Sequence, residues 1–101
     1  MRAMILIPTY NEASTVVELI SALKVLREGG VFDFDVTVID DNSPDKTAEI
    51  VESLSLGWIS VLKREKKDGL GNAYRAGFAL VLPDQNYDQF VTMDADGSHR
   101  V

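Results

Sequence analysis

The sequence has no cysteine, one histidine, one tryptophan and three prolines, and its basic residues are outnumbered by acids, ten to sixteen. The absence of cysteine excludes disulfides and thiolate metal sites and fits a reducing compartment, so a cytoplasmic location is the expectation. No stretch approaches the roughly 18 to 20 apolar residues of a spanning helix, and "MRAMILIPTY" meets Pro8 too soon to be a secretory signal. The chain as given is expected to be soluble. The formal charge of −6 disfavours tight contact with a nucleic-acid backbone, so no nucleic-acid partner is expected. An anionic small ligand then needs local help from a metal ion, a helix N-terminus or a few placed cations.

There is also no internal repeat, low-complexity tract or linker, and residues 1–101 read as one domain or part of one. What is present is an alternation. "AMILIP" (Ala3 to Pro8) is a continuous apolar run, as expected of a strand buried on both faces and ended by Pro8. Asn11 reads as the N-cap of a first helix that turns Val16, Leu19, Ile20, Leu23 and Leu26 inward and stops at Gly29-Gly30. "FDVTVID" (Phe34 to Asp40) is a second strand, with Ser43 as N-cap and Pro44 as first residue of a helix that buries Ala48, Val51 and Leu54. "WISVL" (Trp58 to Leu62) is a third strand, with Trp58 in the core. A helix with Ala73, Ala76, Gly77 and Leu80 on one face follows, and "QFVTMD" (Gln89 to Asp94) is a fourth strand. The order β-α-β-α-β-α-β implies an α/β fold with a mostly parallel sheet covered by helices, and in such sheets ligands sit beyond the carboxyl ends of the strands. Thr9 to Glu12, Asp40 to Ser43 and Asp94 to Asp96 all fall at those ends.

Spelling alone is weak support for any of them. Ten aspartates in 101 residues should yield about one Asp-x-Asp pair by chance. Asp33-Phe34-Asp35 is such a pair, and at the amino end of a strand it reads as a solvated turn. Asp94-Ala95-Asp96-Gly97 lies at the ligand end, where two carboxylates one residue apart suit a hard divalent cation. It is not an EF-hand loop, because glycine is fourth rather than sixth and a strand precedes it. Asp40 and Asp41 exceed what capping a helix needs, and Asp41 is placed to accept hydrogen bonds from a ribose or base. "KKDGLGNAYRAG" lacks the third glycine of a dinucleotide fingerprint and the Gly-Lys-Ser/Thr of a P-loop, and reads as a turn before a close-packed helix. Lys63, Arg64, Lys66 and Lys67 form the dense cation cluster, either a solvated loop or a screen for a diphosphate. His99 reads as solvated.

Taken together and in order, "IPTYNE", "IDDNSPDKT", "KKDGLGNAYRAGF" and "MDADGSH" resemble the N-terminal half of a family 2 glycosyltransferase, and more narrowly the polyprenol (dolichol) monophosphate mannose synthases. The resemblance implies the nucleotide-binding half of a GT-A (Rossmann-like) fold. It also implies transfer of mannose from GDP-mannose, or of a sugar from another nucleotide-sugar, to a polyprenyl phosphate with inversion at the sugar carbon. Pro8, Tyr10 and Glu12 then match positions around the base and ribose. Ile39 and Asp41 match contacts from the second strand. Asp94, Ala95 and Asp96 match the sugar-nucleotide and Mg2+ or Mn2+ motif, with Ser98 where some relatives carry a metal-reaching glutamine. The whole of 1–101 becomes the donor-binding part of a domain cut before its acceptor-binding half, with the full-length protein at the cytoplasmic face of a membrane. An apolar edge left open by that cut implies self-association. Two other readings stand beside this one: a non-catalytic nucleotide-sugar-binding or assembly fragment, and an aspartate-dependent phosphotransferase, whose Asp-x-Asp-Gly signature belongs on a first strand.

Overall fold

A strand apolar on both faces must be covered twice, and β1 (Arg2–Thr9), buried from Met4 onward, is such a strand. In the computed structural model, which describes residues 2–10, 13–30, 33–65, 70–81 and 87–93, it is followed by α1 (Ala13–Glu28), β2 (Asp33–Asp40), α2 (Thr47–Ser53), β3 (Ile59–Lys63), α3 (Leu70–Val81) and β4 (Gln89–Thr92). The strands form one sheet in the order β3-β2-β1-β4, and every pair is parallel. The chain therefore runs outward from β1 through β2 to β3, then returns to place β4 on the other side of β1. That reversal makes the β1/β4 boundary the topological switch point, where such sheets open a crevice at their carboxyl rim.

Alternate residues of β1 feed two cores. Ile5 and Ile7 join Phe34, Val36 and Val38 of β2 beneath Val16, Ile20 and Leu23 of α1 and Val51 of α2. Met4 and Leu6 join Ile39 on the opposite face, beneath Ala73 and Val81 of α3, with Leu62, Phe78, Tyr87 and Phe90 packed around them. The buried face of α3 steps along Ala73, Gly77 and Val81, four residues apart, which leaves the expected Leu80 at its margin and 54% exposed. Leu26 is likewise turned out near the end of α1. Pro8 does not end β1. It lies inside the strand, paired with Ile39 of β2. Trp58 is half-buried rather than central, with its ring edge-on to Phe34 at 5.9 Å.

Glycine at 77 has a steric reason. A Cβ built there would lie 2.4 Å from Ile39 Cδ1 and 3.5 Å from Leu6 Cδ2, so α3 rests on the sheet at a distance that only glycine allows.

The amino rim corrects the solvated reading of Asp33-Phe34-Asp35. Both acids lie in β2, and Asp35 is the centre of a charged cluster with only 15% of its side chain exposed. Arg2 Nη2 donates to it at 2.6 Å, Arg27 Nη2 at 3.4 Å and the Tyr87 hydroxyl at 2.5 Å. Arg2 also lies over the Tyr87 ring, and its backbone exchanges bonds with Asp88, whose Oδ2 accepts from the Arg2 amide at 2.9 Å while the Asp88 amide donates to the Arg2 carbonyl at 2.8 Å. This cluster fixes the entry into β4, a four-residue strand with one described neighbour.

Two substitutions test these contacts by urea denaturation. Gly77→Ala is expected to lower stability by about 1–3 kcal/mol through overpacking. Adding Ile39→Val removes the clashing methyl, and the double variant should be less destabilised than the sum of the singles. Tyr87→Phe, which removes one hydrogen bond to a carboxylate, should lower stability by about 1–2 kcal/mol.

Candidate functional site

Four chain segments end at the carboxyl rim: Thr9 and Tyr10 after β1, Asp40 to Ser43 after β2, Arg64 after β3 and Met93 after β4. The adjacent acids Asp40 and Asp41 divide into two roles. Asp40 is 3% exposed, and its Oδ1 accepts from the Thr9 hydroxyl at 2.7 Å and the Ser43 hydroxyl at 2.6 Å, while Oδ2 accepts from the Ser43 amide at 3.0 Å. It is therefore a tie between the end of β1 and the loop after β2, with its charge met by three donors.

Asp41 lies one residue further along the rim. Its amide donates to the Thr9 carbonyl at 3.1 Å, and its carboxylate pairs with Arg64 Nη1 at 3.2 Å. The Arg64 amide in turn donates to the Asp40 carbonyl at 2.7 Å. Sequence reasoning placed Arg64 only in a cation cluster and missed this pairing. The signal is the strand register, which sets Lys63 opposite Asp40 and so brings the next residue of each strand together. Lys63 points elsewhere. Its ammonium is 3.0 Å from Glu52 and 4.0 Å from Glu49 on α2, and the hydrogen bond and charge of Glu52 raise its pKa. Lys66 and Lys67 lie outside the described residues.

The expected Ser43 cap and Pro44 start are replaced by a longer turn. α2 begins at Thr47, after Asn42 and Lys46 both take left-handed backbone angles, φ 59° and 61°. Asn42 steadies its turn by donating from Nδ2 to the Glu65 carbonyl at 3.1 Å. The acid at the helix start is Asp45. Its Oδ1 accepts from the Thr47 amide at 3.1 Å and from the Thr47 hydroxyl, and its Oδ2 accepts from the Ala13 amide, the first residue of α1, at 3.1 Å. Asp45 is exposed, and the slight desolvation that works against its charge is outweighed by the Thr47 hydroxyl and the Ala13 and Thr47 amides, which hold the carboxyl below its ordinary value of 3.8.

Of the residues expected to form a site, Pro8 is buried in β1, Tyr10 is half-buried just after it, and Asp41 is buried on the rim beside Arg64. Ile39 is fully buried under α3, so its side chain faces the core rather than the rim. Glu12, Asp94, Ala95, Asp96 and Ser98, together with Asn11 and His99, lie outside the described residues. The chain is still alongside β1 at Met93, whose amide donates to the Leu6 carbonyl at 3.0 Å. Among the described residues no group of three or more His, Cys, Asp or Glu is arranged to hold a metal ion. The Asp-x-Asp-Gly stretch follows the fourth strand and not the first, which removes the structural context that the phosphotransferase reading requires.

Comparison with known proteins places these features in context. The model of the family described as "Glycosyl transferase family 2" matches residues 4–100. An undecaprenyl-phosphate mannosyltransferase of Micrococcus luteus is 45% identical over 99% of this chain and 40% of its own length. A dolichol-phosphate mannosyltransferase of Pyrococcus furiosus is 37% identical over 98% of this chain and 27% of its own length. The chain thus spans two fifths or less of the length of these relatives. Among solved structures, a mannosyltransferase from Pyrobaculum calidifontis in complex with GDP-Man and Mn2+ matches with a TM-score of 0.76 at 22% identity, over 94% of this chain and 27% of that one. The likeness shows a shared fold, the α/β GT-A half expected from the sequence.

Because the folded-state pKa of Asp45 is depressed, its ionised form contributes stability above the unfolded value of 3.8, and that contribution is lost as pH falls through the lower folded value. Asp45→Asn, which keeps one acceptor oxygen but removes the charge, is therefore expected to lower stability by about 0.3–1 kcal/mol at neutral pH, the range of an exposed charge at a helix end. The gap between the two proteins should narrow below pH 3.8 in denaturation experiments run across pH.

Proposed function

The chain belongs to glycosyl transferase family 2, and from that premise we propose that it carries the donor-nucleotide and metal site of an inverting mannosyltransferase acting on GDP-mannose and a polyprenyl (dolichyl) phosphate. In this reading residues 1–101 are the nucleotide-sugar-binding part of a GT-A domain. The observation that carries it is the gathering of Tyr10, Asp41 and the end of β4 on one carboxyl rim, on both sides of the switch point. The printed names of the relatives and the ligands bound to the fold neighbour support the same reading.

Pro8, Tyr10 and Glu12 would border the base and ribose from β1, and Asp41 would accept hydrogen bonds from them across the rim. Ile39, buried beneath α3, would shape the floor on which they lie. Asp94 and Asp96 would hold Mg2+ or Mn2+, with Ser98 as a third donor and Ala95 leaving room for the sugar-nucleotide. The donor set fits such an ion, since carboxylate and hydroxyl oxygens are the ligands that hard divalent cations take. When bound, the ion offsets the charge that develops on the departing diphosphate. The acceptor phosphate oxygen bonds to the anomeric carbon as the bond from that carbon to the diphosphate oxygen breaks on the opposite face, which inverts the centre. The acceptor is already anionic, so the chain need not supply a general base.

A lipid-borne acceptor would set the reaction at the cytoplasmic face of a membrane. Among the described residues no helix is long and apolar enough to cross one. The proposal includes self-association at β4, which has one described neighbour and leaves Val91 exposed.

The reading is tested by thermal melting with GDP-mannose and Mn2+. A ligand at a hundredfold its dissociation constant should stabilise by about 2.7 kcal/mol, a rise on the order of 10 °C or more for a domain of this size. Asp96→Ala should abolish the metal-dependent part of that rise. A folded wild-type chain that shows no shift overturns the reading. Because the chain spans only 27–40% of the relatives, a binding module without transfer activity is the second reading. Mannose transfer to polyprenyl phosphate by this chain alone would exclude it.

A further inference from the structure

A strand is placed by its own side chains or by what holds its ends, and β4 has little of the first. Of Gln89, Phe90, Val91 and Thr92 only Phe90 is half-buried, with its ring centre 6.3 Å from that of Tyr87 and 6.4 Å from that of Phe78. So short an apolar pattern specifies register weakly, and a slip of one residue turns every side chain to the other face. The two residues before the strand supply what it lacks. Asp88 is joined twice to Arg2, the first residue of β1: its amide donates to the Arg2 carbonyl at 2.8 Å, and its Oδ2 accepts from the Arg2 amide at 2.9 Å. The Tyr87 hydroxyl donates to Asp35 of β2 at 2.5 Å, with the Arg2 guanidinium 5.1 Å from its ring centre. Arg2 is itself paired with Asp35 at 2.6 Å and Asp33 at 3.6 Å. These contacts lead into a ladder that sets Gln89 opposite Ala3 and Thr92 opposite Leu6. The Met93 amide still donates to the Leu6 carbonyl, and Asp94 is the next residue of the chain.

We propose that Tyr87 and Asp88 are positioning residues for the metal pair: their bonds to Asp35 and Arg2 at the amino rim set the register of β4, and with it the level at which the chain delivers Asp94 and Asp96 to the opposite rim. The inference rests on the metal-site reading above. The lever is the strand itself. A slip of one residue displaces it by about 3.3 Å, whereas metal–oxygen bonds tolerate about 0.2 Å, so even a partly populated slip costs affinity for the ion. Tyr10 and Asp41 are held by the eight-pair ladder between β1 and β2, which does not involve β4.

The test compares the wild-type chain with Tyr87→Phe/Asp88→Ala, which removes both side-chain contacts, and with Val51→Ala, which leaves a cavity under α2 and lowers stability without touching β4. Calorimetry measures guanosine binding without metal and the gain in GDP affinity that Mn2+ brings over a chelator. In the double variant that gain should fall by about 10- to 100-fold, the range for groups that orient metal ligands without touching the ion, while guanosine binds as before. Val51→Ala should change neither. Adding Ala3→Cys and Gln89→Cys to the double variant, oxidised to a disulfide between these facing residues, pins the register and should restore the gain. Tyr87→Phe alone should lower the gain in the same direction, and serves where the double variant fails to fold. An unchanged gain in a folded variant, an equal loss in Val51→Ala, an equal weakening of guanosine or no recovery on oxidation overturns the inference, while a Mn2+-dependent gain in the wild type leaves the metal reading standing. A folded wild type that shows no such gain overturns both.

Discussion

The constraint on which this structure turns is that β1 has neighbours on every side. It pairs with β2 and β4 and is roofed by α1 on one face and α3 on the other. An apolar strand so enclosed can be satisfied only by crossover connections that put helices on both faces, and those connections bring every strand to the same rim. The convergence of polar loops at the carboxyl ends follows from the way β1 is buried. The close seat of α3 on Ile39 at Gly77 is the other half of that burial.

The two rims then divide the charged residues between them. At the amino rim Asp35 gathers Arg2, Arg27 and Tyr87 into a closed set that ties β1, α1, β2 and the start of β4. At the carboxyl rim three acids within six residues do three different things. Asp40 locks β1 to the following loop, Asp41 lies beside Arg64 on the rim, and Asp45 joins the starts of α1 and α2. A cluster that looks redundant in composition has no duplicated role in space.

The element order, the parallel sheet and the inward faces of α1 and α2 were legible because they rest on period and on strand-end chemistry, which are local. Val16, Ile20, Leu23, Ala48 and Val51 are all buried as their spacing predicts. What was not legible depends on register between distant segments. Asp35 finds Arg2 and Tyr87 at separations of 33 and 52 residues, and nothing in "DFD" announces them. Arg64 meets Asp41 only because β2 and β3 align as they do. The start of α2 was misplaced because two left-handed residues, Asn42 and Lys46, lengthen the turn, a conformation that Asn signals weakly and Lys not at all.

The bonds at the carboxyl rim have a further consequence. Thr9, Asp40, Ser43, Asp41 and Arg64 are fixed to one another by backbone and side-chain hydrogen bonds internal to the fold. Their rotamers are chosen when the chain folds, so a molecule that settles against them does not have to freeze them. Such a surface is preorganised: more of the gross interaction energy survives as affinity, and recognition depends on matching a shape already present.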